Sequence, residues 1–376
     1  MTEQKRIIFI TGASGYVGEM LCDQFAKRAD VGQIIALDKL PQSEYSKQIP
    51  KLVYLELNLA DDSWQEKVAA YQPDTIIHTA WQIRAWYGKA KEQWQENVGA
   101  AEAVFDFAFA NNFVKKLIHF STAASYSARV ENTLEHYFSE AEGLRDDAYI
   151  YALEKKVTEE KLREKYEAKK AKAKDEDETV PQVTIFRPAA ITGPRGRFMQ
   201  VRFGLQSALQ GNLQPGFLNK VITTLTAVMP ATKGWVRQFI HEDDVVDAVA
   251  KVVFEPTAWS FEAFNLTPTG APVLPKAMGQ AVGKQVLYLP PSVVRLALWG
   301  FWHGTRGRVP TCSGSWRFYA YPLLMSGEKL ALIYQCRYSA EEAIAYTSGR
   351  YENFVPENKR RPLKNKPKAK NEKIEK

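Results

Sequence analysis

A glycine-rich turn between an apolar run and an amphipathic run constrains the fold of this chain more than any other feature. Residues 11–18 read TGASGYVG; the apolar run 7–10 before them predicts a buried strand, and residues 19–25 have the apolar spacing of a helix. Gly12 permits a tight turn, Gly15 lets a pyrophosphate approach the backbone, and Gly18 lets the helix pack closely on the strand. We therefore expect a phosphate-binding site at the N-terminus of this helix.

An acidic residue in the next unit indicates which phosphate compound binds there. A second apolar run, residues 34–37, ends in Asp38, twenty residues beyond Gly18. In a dinucleotide-binding fold, the acid at this place accepts hydrogen bonds from the adenosine ribose. Because a carboxylate would repel a 2′-phosphate, the sequence predicts NAD rather than NADP as the cofactor.

Strands and helices continue to alternate beyond this unit. The apolar patterns predict strands at 52–58, 75–80, 115–120 and 183–187, and helices at 62–71 and 90–111. This alternation predicts an α/β fold with a Rossmann-type doubly wound parallel sheet and a smaller C-terminal substrate lobe. We assign residues 1–190, with strands from 233–266, to the NAD-binding domain, residues 191–232 and 267–356 to the lobe, and residues 357–376 to a basic, disordered tail.

Composition excludes several other classes of protein. The three cysteines are widely spaced and the five histidines lack metal-ligand spacing, so we expect neither a disulfide framework nor a metal site. Residues 358–376 hold nine Lys or Arg and two Glu, which accounts for the whole net charge of +7, so nucleic-acid binding is not expected. The chain enters its first strand directly and has no apolar run of membrane-spanning length, so we predict a cytoplasmic protein without a signal peptide.

Several further short motifs occur in a definite order. They are IIHTA at 76–80, NVG at 97–99, Ser121-Thr122 with Tyr126, Tyr151-x-x-x-Lys155, Arg187-Pro188 with Gly193-Pro194, and RQFIH at 237–241 with Asp243-Asp244. Together with the glycine turn, they resemble the extended short-chain dehydrogenase/reductases, in particular the NAD-dependent epimerase/dehydratase family, over residues 5–270. The resemblance implies an NAD-dependent enzyme with a small-molecule substrate.

Three pairs in the chain have the spacing Tyr-x-x-x-Lys, and they begin at Tyr87, Tyr151 and Tyr166. A tyrosine and a lysine at this spacing share one face of a helix. Only Tyr151 and Lys155 lie on the helix that follows the predicted fifth strand, where both can reach a hydroxyl at the strand end. Tyr87 lies in a loop-like context and Tyr166 in a charged run typical of a solvated helix, so we interpret both as structural.

The chemistry expected of this pair follows from the pKa of a phenol. A free tyrosine, with a pKa of about 10, is a poor base at neutral pH. The Lys155 ammonium and a nicotinamide cation would favour the phenolate. Tyr151 could then take a proton from a substrate hydroxyl while hydride leaves the same carbon, with Thr122 holding the substrate oxygen.

The resemblance also implies a set of binding residues. Those for the cofactor are Gly12, Ser14, Gly15, Tyr16, Val17, Gly18, Asp38, Asn58, Leu59, Thr79, Ala80, Asn97, Tyr151, Lys155 and Pro188. Asn97 supports the site from behind or has a structural role inside its helix. Ser121 and Arg237 are the substrate candidates: Arg237 stands where nucleotide-sugar enzymes of the family bind substrate phosphates, although bracing of the lobe explains it equally well.

Two positions depart from the family pattern. Asn58 replaces an aspartate that often contacts the adenine, and an amide can still donate and accept hydrogen bonds. Ala123-Ala124 stands where the sugar dehydratases carry an acidic pair. Without those carboxylates, elimination of water lacks its acid and base, so 4,6-dehydratase activity is not expected.

Three hypotheses about function remain open. The first is an NAD-dependent oxidoreductase acting on a secondary alcohol or ketone, best exemplified by a nucleotide-sugar epimerase. The second is a dehydrogenase for a steroid-like or isoprenoid alcohol, as in the 3β-hydroxysteroid dehydrogenases, and the third is a non-catalytic dinucleotide-binding subunit.

The apolar and aromatic stretch 287–303 keeps the second hypothesis open. We interpret it first as lobe core, with a lipid cover, a peripheral membrane contact assisted by the basic tail, and a homodimer contact as alternatives.

Residues 339–344 predict a capped final helix.

Overall fold

A seven-stranded parallel sheet forms the centre of the computed structural model, which describes residues 5–173, 179–196, 228–309 and 311–364. The strand order is β3-β2-β1-β4-β5-β6-β10, so the order reverses between β1 and β4. The strands are β1 Arg6–Thr11, β2 Val31–Asp38, β3 Leu52–Glu56, β4 Thr75–His78, β5 Lys116–Phe120, β6 Gln182–Pro188 and β10 Phe261–Leu266. This topology confirms the Rossmann-type doubly wound sheet predicted from the sequence, and it places a ligand crevice where the order reverses.

Helices cover both faces of the sheet. They are α1 Tyr16–Ala26, α2 Gln65–Ala69, α3 Ala90–Trp94, α4 Ala100–Ala110, α5 Ile150–Lys172 and α6 Glu242–Phe254. A π-helical turn, Gln95–Gly99, joins α3 to α4, so the helix predicted over 90–111 is one helical segment interrupted by this turn.

The alternation of side chains along the strands builds two cores. Ile8 and Ile10 of β1 pack on one face with α1 and α6, whereas Phe9 packs on the other face with Trp64 and α4. Residues of a strand point alternately to the two faces, and helices cover both, which explains why β1 and β2 read as continuous apolar runs.

The charged helix α5 differs in part from its sequence interpretation. The charged run around Tyr166 is interpreted from the sequence as a solvated helix, but Tyr166 itself is buried and packs against Phe109 and Phe261. Glu159 is buried as well and forms an ion pair with Arg187 at 2.7 Å. The acidic residues that follow this helix, within 174–178, lie outside the described residues.

A smaller lobe stands on the carboxyl side of the sheet. It contains the parallel strand pairs β7 Ala190–Thr192 with β9 Phe239–His241, and β8 Val228–Ala231 with β11 Gln285–Tyr288. Its helices are α7 Pro275–Val282, α8 Pro291–Gly304 and α10 Ala340–Ala345, whereas the short helix α9 Glu328–Ala331 packs on β10 of the central sheet. Ser339 and Glu342 form the capping box expected at the start of α10. Most of the predicted lobe segment 191–232, namely residues 197–227, lies outside the described residues.

Two expectations about the C-terminal part are wrong. The stretch 287–303 is not plain lobe core, because Leu296 and Trp299 are 69% and 60% exposed. Nor is the start of the tail detached: Arg361 donates a hydrogen bond to the Ala281 carbonyl at 3.0 Å, and the Leu363 amide donates to Ser348. Residues 365–376 lie outside the described residues.

Two further findings concern membranes and metals. In the part of the chain that the structure describes, no helix is both long and apolar enough to cross a bilayer. Within the same residues, no group of three or more His, Cys, Asp or Glu is arranged to hold a metal ion.

Candidate active site

A cavity of about 600 Å³ lies where the strand order reverses, at the carboxyl ends of the central strands. Its wall is built from the glycine turn, the end of β2, the loops after β3, β4 and β5, and two segments of the lobe. The predicted residues that line it are Gly12, Ser14, Gly15, Tyr16, Val17, Gly18, Asp38, Asn58, Leu59, Thr79, Ala80, Thr122, Tyr151, Pro188 and Arg237.

Two positions of the glycine turn, Gly12 and Gly18, leave no room for a side chain. Gly12 has a φ of +72°, and a Cβ there would approach the Ala80 nitrogen to 2.5 Å. A Cβ on Gly18 would overlap the Gly12 carbonyl oxygen. Because α1 begins immediately after Gly15, the free amides of its first turn lie at the cavity.

Asp38 lies beside this turn at the end of β2. One carboxylate oxygen accepts a hydrogen bond from the Ser14 amide at 3.0 Å, and the other accepts from the Leu40 amide at 3.0 Å. These two bonds fix the carboxylate on the cavity wall, which is the position from which it can accept further hydrogen bonds from a ribose.

The end of the cavity beyond Asp38 contains an acidic residue that the sequence analysis missed. Glu96, on the π-helical turn, accepts hydrogen bonds from Asn58 at 2.9 Å and from Lys39 at 2.6 Å. Burial acts to raise its pKa, but these hydrogen bonds hold the pKa of Glu96 below its ordinary value. Asn58 is therefore hydrogen-bonded to a carboxylate. In the sequence, the NVG motif directly after Glu96 was the signal that this turn contributes to the site.

Thr122 and Tyr151 meet at the opposite end of the cavity. Thr122 follows β5 and its hydroxyl accepts a hydrogen bond from the Ala124 amide at 3.2 Å. Burial raises the pKa of Tyr151, and a side-chain hydrogen bond with Thr122 lowers it in part. The cavity thus brings together the two hydroxyl groups predicted to contact the substrate oxygen.

Lys155 is placed differently from the prediction. Its ammonium donates a hydrogen bond to the Phe120 carbonyl and lies 3.5 Å from the centre of the Trp81 ring, and it is buried behind the cavity wall. Burial lowers its pKa well below the ordinary value. Burial also raises the pKa of the Tyr151 phenol, so the phenolate expected from the sequence needs positive charge beside this hydroxyl.

Asn97 and Ser121 also lie behind the wall. The Asn97 side chain bonds both the amide and the carbonyl of Gln82, at 2.7 and 3.0 Å, and donates to the Glu154 carboxylate at 2.7 Å. Gln82 lines the cavity, so Asn97 supports the wall rather than forming it. Ser121 is buried beside Thr122, and among the residues that the structure describes its hydroxyl has no hydrogen-bond partner.

Arg237 lies at the lobe end of the cavity among aromatic rings. Its guanidinium donates to the Phe318 carbonyl at 2.7 Å and lies 5.5 Å from the Trp235 ring. Burial lowers its pKa. This contact braces the lobe, while the position on the cavity wall leaves both interpretations of Arg237 open.

A buried polar network fixes the glycine turn to the lobe. The Tyr16 phenol donates to the Glu242 carboxylate, which also accepts hydrogen bonds from the amides of Arg195 and Gly196, both at 2.9 Å. The buried Arg195 side chain forms an ion pair with Glu19 of α1. None of these long-range contacts is encoded in a local sequence pattern, except that Gly193-Pro194 marks the turn.

Two buried histidines and the tyrosines of the other two Tyr-x-x-x-Lys pairs lie outside the described cavity wall. His78 stacks on His119 with ring centres 5.3 Å apart, and burial lowers the pKa of His78 to about 3. Tyr87 packs against Trp302 at 5.2 Å and hydrogen-bonds His303 at 3.2 Å. Neither tyrosine of the other two Tyr-x-x-x-Lys pairs lines the cavity.

Comparison with known proteins agrees with this architecture. The family model "NAD dependent epimerase/dehydratase family" matches residues 8–267. The chain therefore belongs to the NAD-dependent epimerase/dehydratase family, an extended short-chain dehydrogenase/reductase fold. None of the curated proteins matches it.

Solved structures share the fold at low sequence identity. UDP-glucose 4-epimerase of Thermotoga maritima, solved with UDP-glucose, is 17% identical with a TM-score of 0.62, covering 91% of this chain and 97% of that one. UDP-glucuronic acid 4-epimerase of Bacillus cereus, solved with UDP-glucuronic acid and NAD, is 14% identical with a TM-score of 0.63, covering 92% and 99%. dTDP-glucose 4,6-dehydratase of Bacillus anthracis, solved with NAD, is 16% identical with a TM-score of 0.63, covering 91% and 95%.

Proposed function

We propose that this protein is an NAD-dependent oxidoreductase that acts on a secondary alcohol or ketone through Tyr151, and that its substrate is a nucleotide sugar. One observation carries the proposal: the hydroxyl-bearing side chains of Thr122 and Tyr151 line the same cavity as the glycine turn and Asp38. A non-catalytic dinucleotide-binding subunit would need only the latter two.

The residues around the cavity fit NAD. The free amides after Gly15 suit a pyrophosphate, the fixed carboxylate of Asp38 suits a ribose diol, and Glu96 with Asn58 offers acceptors at the far end. When bound, NAD supplies the acceptor and donor of hydride. The chain's own residues must then position the substrate and move its proton.

Tyr151 supplies the proton transfer. Its phenol is neutral at ordinary pH, so it can protonate a ketone oxygen directly, and it becomes a base once positive charge nearby lowers its pKa. Thr122 holds the same oxygen. Lys155 fixes the end of β5 through the Phe120 carbonyl, two residues before Thr122, and so positions this hydroxyl.

The nucleotide-sugar assignment rests on the lobe end of the cavity and on the relatives. Arg237 is a planar donor able to bind a diphosphate, and similar folds have been solved with UDP-sugars. Ala123 and Ala124 offer no acid or base beside Thr122, so we propose epimerisation or net redox rather than dehydration.

A thermal-shift series tests this assignment. NAD-loaded protein is scanned against UDP, dTDP, GDP and CDP, and a nucleotide at about 100 times its dissociation constant should stabilise the protein by roughly 2.7 kcal/mol. Arg237→Met should remove this shift and retain the shift caused by NAD. Absence of a shift with all four nucleotides would contradict the nucleotide-sugar assignment and leave the redox assignment standing.

A steroid-like or isoprenoid alcohol is the second candidate substrate. The observation that favours it is the aromatic wall at the lobe end of the cavity, which is formed by Tyr149, Phe318 and Tyr319. In addition, Arg237 already donates a hydrogen bond to the Phe318 carbonyl. Stabilisation by farnesol or a hydroxysteroid, in the absence of any nucleotide effect, would select this candidate.

A further inference from the structure

The outer face of helix α8 is apolar and exposed. Val293, Leu296 and Trp299 recur every three residues and are 44%, 69% and 60% exposed, whereas Val294 and Leu298 on the opposite side are buried. Leu287 and Tyr288 of the preceding strand add two more exposed apolar side chains. We call these five exposed residues, three on α8 and two on β11, the α8 face; the described residues contain twelve large apolar side chains that are exposed, so this region holds five of them.

The sequence segment that carries this face has charges of one sign. From residue 263 to residue 327 the sequence contains no Asp or Glu, and it contains six Lys or Arg. Arg295, Arg306 and Arg308 lie within or just after α8 and are exposed. A surface of this composition complements an anionic partner that also accepts apolar side chains.

The buried side of α8 packs beside the cavity. Leu298 of α8 accepts a hydrogen bond from Thr311 at 2.7 Å, and α8 packs on the turn that contributes Ser315 and Phe318 to the cavity wall. On its other side, Trp302 packs on Tyr87, in the same loop as the cavity residue Gln82. Helix α8 therefore separates a molecule bound to the α8 face from the substrate end of the site.

We infer that the α8 face docks the protein onto the surface of a bilayer that contains anionic lipids. Trp299 and Leu296 enter the interfacial region while the flanking arginines contact the headgroups, as in amphipathic helices that lie in a membrane plane. Self-association through this face fits the charges less well. It would bring the arginines of two copies together, and the segment 263–327 contains no carboxylate to pair with them.

Vesicle co-sedimentation of the full chain tests the inference. We expect binding to phosphatidylcholine vesicles that contain phosphatidylglycerol, at least tenfold weaker binding to phosphatidylcholine alone, and further weakening by salt. The double variant Leu296→Ser/Trp299→Ser should bind at least tenfold more weakly than the wild type. Arg306→Ala and Arg308→Ala should each weaken binding by about fivefold.

Matched variants separate the α8 face from other causes. Trp299→Phe keeps the apolar face and should retain binding, and Leu332→Ser alters an equally apolar residue, 85% exposed and outside the α8 face, and should also retain it. Removal of residues 365–376 should leave the tenfold difference between wild type and double variant in place. Melting temperatures verify that every variant folds.

Three results would overturn the inference. The first is binding that is equal in the wild type and the double variant. The second is binding that the double variant retains and that is lost when residues 365–376 are removed from the wild type. The third is a concentration-dependent dimer, seen by sedimentation velocity without lipid, that Leu296→Ser/Trp299→Ser dissociates, because the α8 face would then be covered by a second copy.

Discussion

Of the three tyrosines in the Tyr-x-x-x-Lys pairs, Tyr151 is the one on the described wall of the cavity. Tyr151 lines the cavity together with Thr122, whereas the ring of Tyr166 is packed between Phe109 and Phe261. Tyr151→Phe should lower turnover by about 10²–10⁴-fold, because the proton donor is lost, and should change the NAD dissociation constant little. Steady-state kinetics and calorimetric titration measure the two quantities. Tyr166→Phe, the matched control, should leave both unchanged; equal losses in the two variants would remove Tyr151 from the mechanism.

Asp38 should determine the choice between the two nicotinamide dinucleotides. Asp38→Ala removes the acceptor for the ribose and the charge that repels a 2′-phosphate, so the preference for NAD over NADP should narrow by about tenfold or more. Binding titrations with both dinucleotides measure the ratio. Asp30→Ala, just before the other end of the same strand, is the control and should leave the ratio unchanged.

Glu154 makes stability depend on pH. Its carboxylate is buried on Asn97 and Gln93, and burial raises its pKa to about 7 from 4.5. The folded protein therefore holds this proton more tightly than the unfolded chain, and the contribution of Glu154 to stability falls as pH rises from 4.5 to 7. Glu154→Gln keeps the two accepted hydrogen bonds without the charge. Relative to wild type it should gain up to roughly 3 kcal/mol in unfolding free energy between pH 4.5 and pH 8.

Urea denaturation of the NAD-free protein at several pH values measures this difference. The buried His78, whose pKa is lowered to about 3, acts in the opposite direction in both proteins and cancels in the comparison. A difference that does not vary with pH would mean that Glu154 titrates normally.

At the scale of elements, the first strand, turn and helix depend on one close approach. Gly18→Ala would place a methyl group against the Gly12 carbonyl, so we expect a loss of about 1–3 kcal/mol in stability and weaker NAD binding. Gly300→Ala is the matched control, since this helical glycine has open space around its Cβ position and alanine should stabilise α8 by up to about 1 kcal/mol. Thermal denaturation and NAD titration compare the two variants. Equal tolerance of both would show that the turn does not need glycine at 18.

Local patterns explain which elements could be predicted. The glycine turn, Asp38 and Tyr151 each lie at the end of a strand or on the helix that follows it, so sequence order places them at the cavity. The Lys155 side chain contacts the ring of Trp81, which is far away in the sequence. Asn58 follows β3 and donates a hydrogen bond to Glu96 on the π-helical turn, which is equally remote in sequence. Such contacts between separate elements leave no periodic signal in the sequence.

At the scale of the molecule, the sheet was predictable and the arrangement of the lobe was not. Apolar runs on β1 and β2 specify burial on both faces, which fixes a doubly wound sheet. The run 287–303 is equally apolar, but composition alone does not distinguish a buried helix from one whose outer face is exposed, and here Leu296 is exposed. Likewise, the basic composition of 357–364 did not reveal that Arg361 bonds the lobe.

Reduction of bound NAD by a sugar nucleotide tests the central claim most directly. NAD-loaded protein is mixed with UDP-glucose, UDP-galactose, UDP-glucuronic acid or dTDP-glucose, and reduced nicotinamide is followed by its fluorescence. We predict that at least one compound produces the signal in the wild type and that Tyr151→Phe slows its appearance by about 10²-fold or more. A signal that appears at the same rate in both proteins, or its absence with a nucleotide sugar that demonstrably binds beside NAD, would contradict the account.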